Sequence, residues 1–84
     1  MWSEGVIGIP DAKDKGKYTK CHYWVKHYDE PSELYGINGG KISKLTIRID
    51  GRITANYDRG WDIEPAEDDM ATQMAYCILL ENYN

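Results

Sequence analysis

The chain contains no phenylalanine, only two cysteines and no long apolar run. Cys21 and Cys77 are too few and too far apart for a disulfide framework or a zinc site, so we expect two reduced thiols. No segment approaches the ~20 apolar residues that cross a bilayer, and the N-terminus lacks the order of a signal peptide. We therefore expect a cytoplasmic protein that uses no metal, cofactor or membrane.

Basic residues are scarce in the last third of the chain. Residues 1–52 carry nine Lys/Arg and seven Asp/Glu, a net charge of +2, whereas residues 53–84 carry one and seven, a net charge of −6. This acidic segment argues against general nucleic-acid binding, because a protein that coats DNA or RNA needs a basic footprint. Two surfaces stay open: a local basic patch in residues 1–52, and an acidic face that competes with nucleic acid for a basic partner.

The 84 residues are expected to form one domain, 1–84, because neither half could bury a hydrophobic core alone. Four segments have the composition or alternation of β-strands: residues 2–9, residues 18–28, and one on each side of an Asp-Gly turn. In the second segment, Cys21, Tyr23 and Val25 share one face and predict core positions. The opposite face is aromatic and basic, which indicates either ordinary amphipathic cover or a ligand or homodimer surface.

The turn at Gly51 is constrained by the alternation of its two strands. A two-residue loop would pair Ile49 with Arg52 and set the apolar residues of one strand opposite the polar residues of the other. A three-residue loop instead pairs Ile47 with Ile53. We therefore predict a type I turn with a bulge, with Gly51 in the left-handed region.

The segment after Trp61 predicts a helix, in which Pro65 suits the first turn and Asp62 or Glu64 caps it. Apolar residues then recur at helical spacing. The predicted fold class is α+β: a four-stranded antiparallel meander sheet with one C-terminal helix packed on one face. The helix face predicted to be buried comprises Met70, Ala71, Met74, Cys77 and Ile78.

The inventory of reactive residues does not favour catalysis. His22 and His27 are five positions apart in one predicted strand, so they point to opposite faces and cannot share a metal ion. His27 and Asp29 share a face, but an exposed pair of this kind is more often a surface hydrogen bond than a catalytic base. No nucleophile elbow or phosphate-binding loop with its lysine is present. We therefore predict no catalytic residues.

Two loops at the ends of the last two predicted strands indicate a binding site. Glycines let backbone N–H groups form an anion-binding nest, nearby cations add positive charge, and aromatic rings add stacking faces. The alternative is a structural loop whose glycines satisfy turn geometry. The predicted ligand-binding residues are Tyr35, Gly36, Asn38, Gly39, Gly40, Lys41, Lys44, Tyr57, Arg59 and Trp61.

Three blocks of sequence resemble an uncharacterised family of small proteins from Gram-positive bacteria and their phages. The resemblance covers the middle of the chain and brings no established activity. It implies a bacterial host cytoplasm and, by analogy with small phage proteins, a counter-defence or host-modulating role. The blocks are Asp29-Glu30-Pro31-Ser32, Gly36-Ile37-Asn38-Gly39-Gly40-Lys41-Ile42-Ser43-Lys44 and Asn56-Tyr57-Asp58-Arg59-Gly60-Trp61-Asp62.

Two classes of function follow as hypotheses. The first is a non-enzymatic binder of a small anionic, nucleotide-like ligand at loops 36–41 and 56–62. The second is an anti-CRISPR-like inhibitor, which blocks a nucleic-acid-binding host protein with an acidic surface. A small enzyme is the least favoured reading. The acidic residues of the second hypothesis are Asp58, Asp62, Glu64, Glu67, Asp68 and Asp69.

Overall fold

A computed structural model describes residues 1–11 and 13–84. Each strand pairs antiparallel with the next, so the sheet order is the chain order. The elements are β1 (Trp2–Pro10), β2 (Tyr18–His27), a 3-10 turn (Ile37–Gly39), β3 (Ile42–Ile49), β4 (Arg52–Asp58), β5 (Trp61–Ile63) and α1 (Met70–Tyr83). Among the described residues, no helix is long and apolar enough to cross a membrane.

The α+β fold with an antiparallel meander and one C-terminal helix is confirmed, but the sheet has five strands and not four. The additional strand, β5, has three residues and was predicted as loop. It forms because a turn at residues 58–60 returns the chain alongside β4, where Trp61 pairs with Tyr57. Three residues are too few to show the alternation by which a strand is recognised in sequence.

One face of the sheet packs against α1, which contacts β1, β2 and β3. The predicted parity of β2 is correct, since Cys21 and Val25 are fully buried beneath the helix and Tyr23 is half-buried. Among the residues that the structure describes, no helix covers the other face of the sheet. The buried apolar core comprises Ile9, Cys21, Val25, Ile37, Ile42, Leu45, Ile47, Ala55, Tyr57, Ala75 and Leu79.

The predicted register of the β3–β4 hairpin is wrong. Ile49 pairs with Arg52 across a two-residue turn, and the left-handed conformation predicted for Gly51 is present, with φ of 78°. The apolar sets nevertheless share a face, because a bulge leaves Thr54 unpaired and shifts the parity of β4. Thr54 is therefore buried, and Ile53 is 40% exposed on the open face.

The predicted start of the helix is also wrong, and its predicted buried face is only partly correct, since Ala71 and Ile78 are half-buried against the core. Asp69 caps α1, accepting a hydrogen bond from the Thr72 N–H at 3.1 Å, so neither Asp62 nor Glu64 serves as the cap. Met74 is 45% exposed. Met70 and Cys77 are exposed as well, and the residues that α1 buries completely are Thr72, Ala75 and Leu79.

A pair of threonines explains why the buried face of α1 is rotated away from the predicted one. The hydroxyl groups of Thr72 and Thr54 lie 2.8 Å apart in the interface between α1 and the sheet. Thr72 also donates its hydroxyl proton to the Asp69 carboxylate at 2.7 Å. Because the β4 bulge turns Thr54 inward, a hydrogen-bonded polar pair occupies positions where a purely apolar helix face was expected.

Candidate functional site

A cleft of about 430 Å³ opens at the end of the sheet where the β2–β3 connection meets the β4–β5 turn. Four cations and only one carboxylate line it, so its charge is positive although the chain as a whole carries −4. It contains five of the ten predicted ligand-binding residues, namely Tyr35, Gly36, Lys41, Lys44 and Arg59. The other lining residues are Lys26, Tyr28, Glu30, Ser32 and Ser43.

Backbone hydrogen bonds bring the cations together from distant parts of the chain. Tyr28 donates its N–H to the carbonyl of Lys41 at 3.1 Å, which extends the β2–β3 pairing to the mouth of the cleft. Arg59 donates its N–H to the carbonyl of Ser43 at 2.9 Å. Lys41 and Arg59 therefore line the same cleft from two different loops, although 17 residues separate them in the chain.

Arg59 has an unfavourable backbone conformation on the wall of the cleft. Its φ of 57° lies in the left-handed region, which costs a non-glycine residue about 1–2 kcal/mol. The guanidinium lies 5.9 Å from the centre of the Tyr35 ring. Strain of this kind persists only where the surrounding structure enforces it, and such positions concentrate at functional sites.

Asp58 is shared by two of the cleft cations. One carboxylate oxygen lies 3.6 Å from Lys44 Nζ and 3.6 Å from Arg59 Nε. Asp58 and Arg59 are more than half exposed, so water screens these pairs and each contributes little to stability. An anionic ligand can therefore compete with Asp58 for both cations at small cost.

The glycine loop does not form the predicted backbone nest. The N–H groups of Gly36, Gly39 and Gly40 donate to the carbonyls of Ser32, Gly36 and Ile37 respectively, so they are not free to bind an anion. Gly36 is required for close packing, because a Cβ there would collide with the carbonyl of Gly40. The loop is thus structural, and any anion in the cleft would be held by side chains.

Asn84 fixes the glycine loop from the far end of the chain. Its side-chain carbonyl accepts a hydrogen bond from the Ile42 N–H at 3.0 Å, and its amide group donates to the Ile37 carbonyl at 3.1 Å. The same side chain packs directly over Gly40, where a Cβ would collide with it. Sequence reasoning missed Asn84, because nothing in the local pattern links it to a loop more than 40 residues away.

Tyr57 and Trp61 lie in the core and not in the cleft. Tyr57 is only 7% exposed and donates its hydroxyl proton to the Tyr35 carbonyl at 3.0 Å, so it supports the loop from beneath. Trp61 packs edge-on between Tyr57 and Tyr76, at ring distances of 5.1 and 5.4 Å. Burial raises the pKa of Tyr76 above its usual value. Asn38 and Gly39 are not among the lining residues of the cleft.

Lys26 and Tyr28 are two of the five lining residues that were not predicted as ligand-binding. Both belong to the aromatic and basic face of the predicted strand 18–28, for which a ligand surface was one alternative. Lys26 Nζ lies 5.7 Å from the centre of the Tyr28 ring and 5.8 Å from that of Trp2. The alternation of that segment already put both side chains on the open face, but it did not link them to the loop at residues 36–41.

Two reactive side chains singled out in the sequence, Cys21 and His27, have structural contacts in the described part of the chain. Burial raises the pKa of the Cys21 thiol, which makes it a poor nucleophile. The His27 ring shares a hydrogen bond with the Ser3 hydroxyl at 3.0 Å and lies against Tyr83, and no bond to Asp29 is formed. Within residues 1–11 and 13–84, no three His, Cys, Asp or Glu side chains cluster as metal ligands.

A family model described as "Domain of unknown function (DUF7678)" matches residues 1–84. The chain belongs to this family. No curated protein and no solved structure matches the chain. Membership of DUF7678 confirms an uncharacterised small-protein family over the full sequence, whereas the origin in Gram-positive bacteria or phages stays a prediction.

Proposed function

We propose that the protein binds a small anionic, nucleotide-like ligand in the cleft without catalysing a reaction on it. The observation that carries the proposal is the convergence of four cations and two tyrosine rings on one concave surface of about 430 Å³. That volume lies within the range of roughly 300–1,000 Å³ typical of small-molecule sites. Charge and shape thus fit a ligand of nucleotide size.

The lining chemistry suits the parts of a nucleotide. Arg59 offers a planar fork that matches two phosphate oxygens, and Lys41 and Lys44 add point charges beside it. Tyr35 is 51% exposed and offers a ring face on which a base can stack. Glu30 would accept hydrogen bonds from ribose hydroxyls or an exocyclic amine, which favours a nucleotide over a bare polyphosphate.

The biological role we propose follows the family resemblance. A phage or mobile-element protein that binds a nucleotide without converting it would act in the host cytoplasm by withdrawing that nucleotide from a host pathway. Such a role needs affinity and folding but no catalytic group. A counter-defence or host-modulating role would thus depend on nucleotide binding in the basic cleft.

The alternative, an inhibitor with an acidic surface, has less support. Three of its six carboxylates already have intramolecular partners: Asp58 pairs with cleft cations, Asp62 accepts a hydrogen bond from Asn56, and Asp69 caps the helix. Carboxylates committed in this way are less available to occupy the basic groove of another protein. The small-molecule function is therefore the one the geometry favours.

The test is isothermal titration calorimetry with the four ribonucleoside monophosphates. The double variant Lys41→Glu/Arg59→Glu should lose affinity by on the order of 100-fold, since each reversal replaces an attractive charge with a repulsive one. Its melting temperature should change little, because both side chains are exposed. Calorimetry on the folded variant separates binding from stability.

A matched control reverses two lysines in the β1–β2 connection. Lys13 and Lys15 are exposed and lie outside the cleft, so Lys13→Glu/Lys15→Glu changes the net charge equally and should leave affinity nearly unchanged. Absence of binding by the native protein, or equal affinity in both double variants, would contradict the proposed function. A loss of folding in Lys41→Glu/Arg59→Glu would assign these residues a structural role instead.

A further inference from the structure

The sheet face that carries no helix presents aromatic rings and cations in register. Direct pairing across the strands sets Trp2 beside Lys26 and Lys26 beside Lys44. A second row sets His22 beside Arg48. Since paired residues of neighbouring strands project on the same side, these side chains form one continuous surface.

Two cation–aromatic groups occupy this surface. In the first, the Arg48 guanidinium lies 5.1 Å from the centre of the Trp24 ring, and the His22 ring stacks on the same tryptophan at 6.0 Å. In the second, Lys26 sits between Trp2 and Tyr28. Trp2 and Tyr28 are 57% and 49% exposed, so broad ring surfaces remain open to a ligand.

The open face is continuous with the cleft. Lys26, Lys44 and Tyr28 line the cleft and also belong to the sheet surface or its edge. A ligand with a terminal phosphate in the cleft would therefore meet Lys26 and the rings around it. The same face also carries two carboxylates, since Asp58 pairs across the strands with Lys44 and Glu4 with Trp24. The two sites are parts of one basic and aromatic track.

Three acidic residues lie at the end of the molecule away from the cleft. Asp50, at the tip of the β3–β4 hairpin, lines a depression with Asp68, Asp69 and Arg52. The cleft lies at the opposite ends of β3 and β4, in a molecule 40 Å long and about 20 Å across. The negative net charge of the chain thus coexists with a local basic surface that can attract a polyanion.

We propose that the open face binds a short single-stranded nucleic acid, whose terminal phosphate lies in the cleft and whose following bases stack across Trp2, Tyr28 and Trp24. The inference rests on the proposed function of the cleft and extends it from a mononucleotide to an oligonucleotide. A single strand exposes base faces for stacking, which a duplex does not. The cations that lie between the rings would then pair with the phosphates that lie between successive bases.

A second copy of the chain suits this surface less well. Face-to-face association would place Lys26, Lys44 and Arg48 of both copies in one interface, where Glu4 and Asp58 are too few to offset them. A polyanion instead complements all three cations. A homodimer through this face, one of the alternatives that the sequence left open, would appear as a native dimer in the test.

The experiment compares a 5′-phosphorylated, 3′-fluorescein-labelled RNA hexamer of adenosine with adenosine monophosphate. The hexamer, measured by fluorescence anisotropy, should bind at least about tenfold more tightly than the monophosphate, measured by calorimetry, because each stacked base adds affinity. Arg48→Glu should remove this advantage and leave monophosphate binding unchanged, since Arg48 is not a lining residue of the cleft. Lys13→Gln serves as the control outside both surfaces.

Arg48→Gln is the second variant, for the case in which the charge reversal unfolds the sheet. Loss of one phosphate contact should lower the slope of log Kd against log salt by about 0.7, which a purely structural effect would not do. Equal affinity of hexamer and monophosphate, an unchanged slope, or a native dimer that covers the face would overturn the inference and leave the cleft function standing. Failure of the native protein to bind the monophosphate would overturn both.

Discussion

At the scale of a single residue, Arg59 combines an unfavourable backbone conformation with a place on the wall of the cleft. Its left-handed backbone is unfavourable for any side chain with a Cβ, and glycine would be the residue that suits such a turn. The chain instead has an arginine there, with its guanidinium near the Tyr35 ring and its N–H bonded to Ser43. A residue that lowers stability while contributing charge to a cleft is the pattern expected of a functional position.

Replacing Arg59 with glycine should separate stability from binding. Arg59→Gly removes the left-handed strain, so the free energy of unfolding should stay equal or rise by up to about 1 kcal/mol, measured by urea denaturation. Affinity for a nucleoside monophosphate should fall at the same time. The control is Asp50→Gly, since Asp50 also has a left-handed φ of 51° but lies in the distant β3–β4 turn.

Both glycine variants should gain comparable stability, and only Arg59→Gly should weaken binding. A clear loss of stability in Arg59→Gly would mean that the arginine side chain supports the fold, and unchanged affinity would remove it from the site.

At the scale of elements, helix α1 shows where the sequence pattern misleads. Nearly all of its residues are apolar or small, so the helix has more than one face that could pack against a sheet. The threonine pair decides between them, because Thr54 and Thr72 bond to each other only when Ala75 and Leu79 face inward. Local periodicity could not reveal this, since it depends on a bulge in another strand.

The two helix faces can be compared by placing a carboxylate on each. Leu79→Asp should unfold the protein, because Leu79 is 1% exposed and an unpaired charge there would lack both water and a partner. Met74→Asp should shift the melting temperature by only a few degrees, because Met74 is 45% exposed. Circular dichroism melts of the two variants provide the measurement. Similar melting temperatures, or a more damaging Met74→Asp, would show that the helix packs through its methionine face.

The β3–β4 hairpin shows a second limit of sequence reasoning. Alternation correctly put Ile47 on the buried face of the hairpin, and the left-handed Gly51 was also anticipated. The register was predicted wrongly because two hairpin geometries fit the same alternation of apolar residues: a longer turn, or a tight turn followed by a bulge. The sequence alone does not distinguish these two geometries, because the residue in the bulge, Thr54, is a threonine, which occurs both on the surface and in the core.

At the scale of the whole molecule, the sequence predicted the fold more completely than the candidate site. The meander and its covering helix follow from composition and alternation, whose signals are local. Half of the candidate site followed too, because Lys41 and Arg59 flank strands that pair. Tyr57 and Trp61 were misplaced because an aromatic residue in a polar loop can stack on a ligand or on the core. Asn84 was missed because its contact is made only in the folded chain.

The position of the cleft is the whole-molecule property that bears on the proposed function. Four cations line the cleft at one end of the sheet, whereas Asp50, Asp68, Asp69 and Arg52 surround a depression at the other end. If the cleft is the anion site, a bound anion should perturb only the cleft end. This spatial restriction distinguishes a built site from weak attraction to scattered lysines.

The most direct test is a ¹H–¹⁵N NMR titration of the native protein with adenosine monophosphate. Saturable amide shift changes should appear at Lys41, Ser43 and Arg59, with little change at Gly51 or in residues 64–69. The contrary result would be shifts centred on the β3–β4 turn and residues 64–69, or small linear shifts at exposed lysines such as Lys15 that never saturate. Either pattern would show that the cleft is not a nucleotide site.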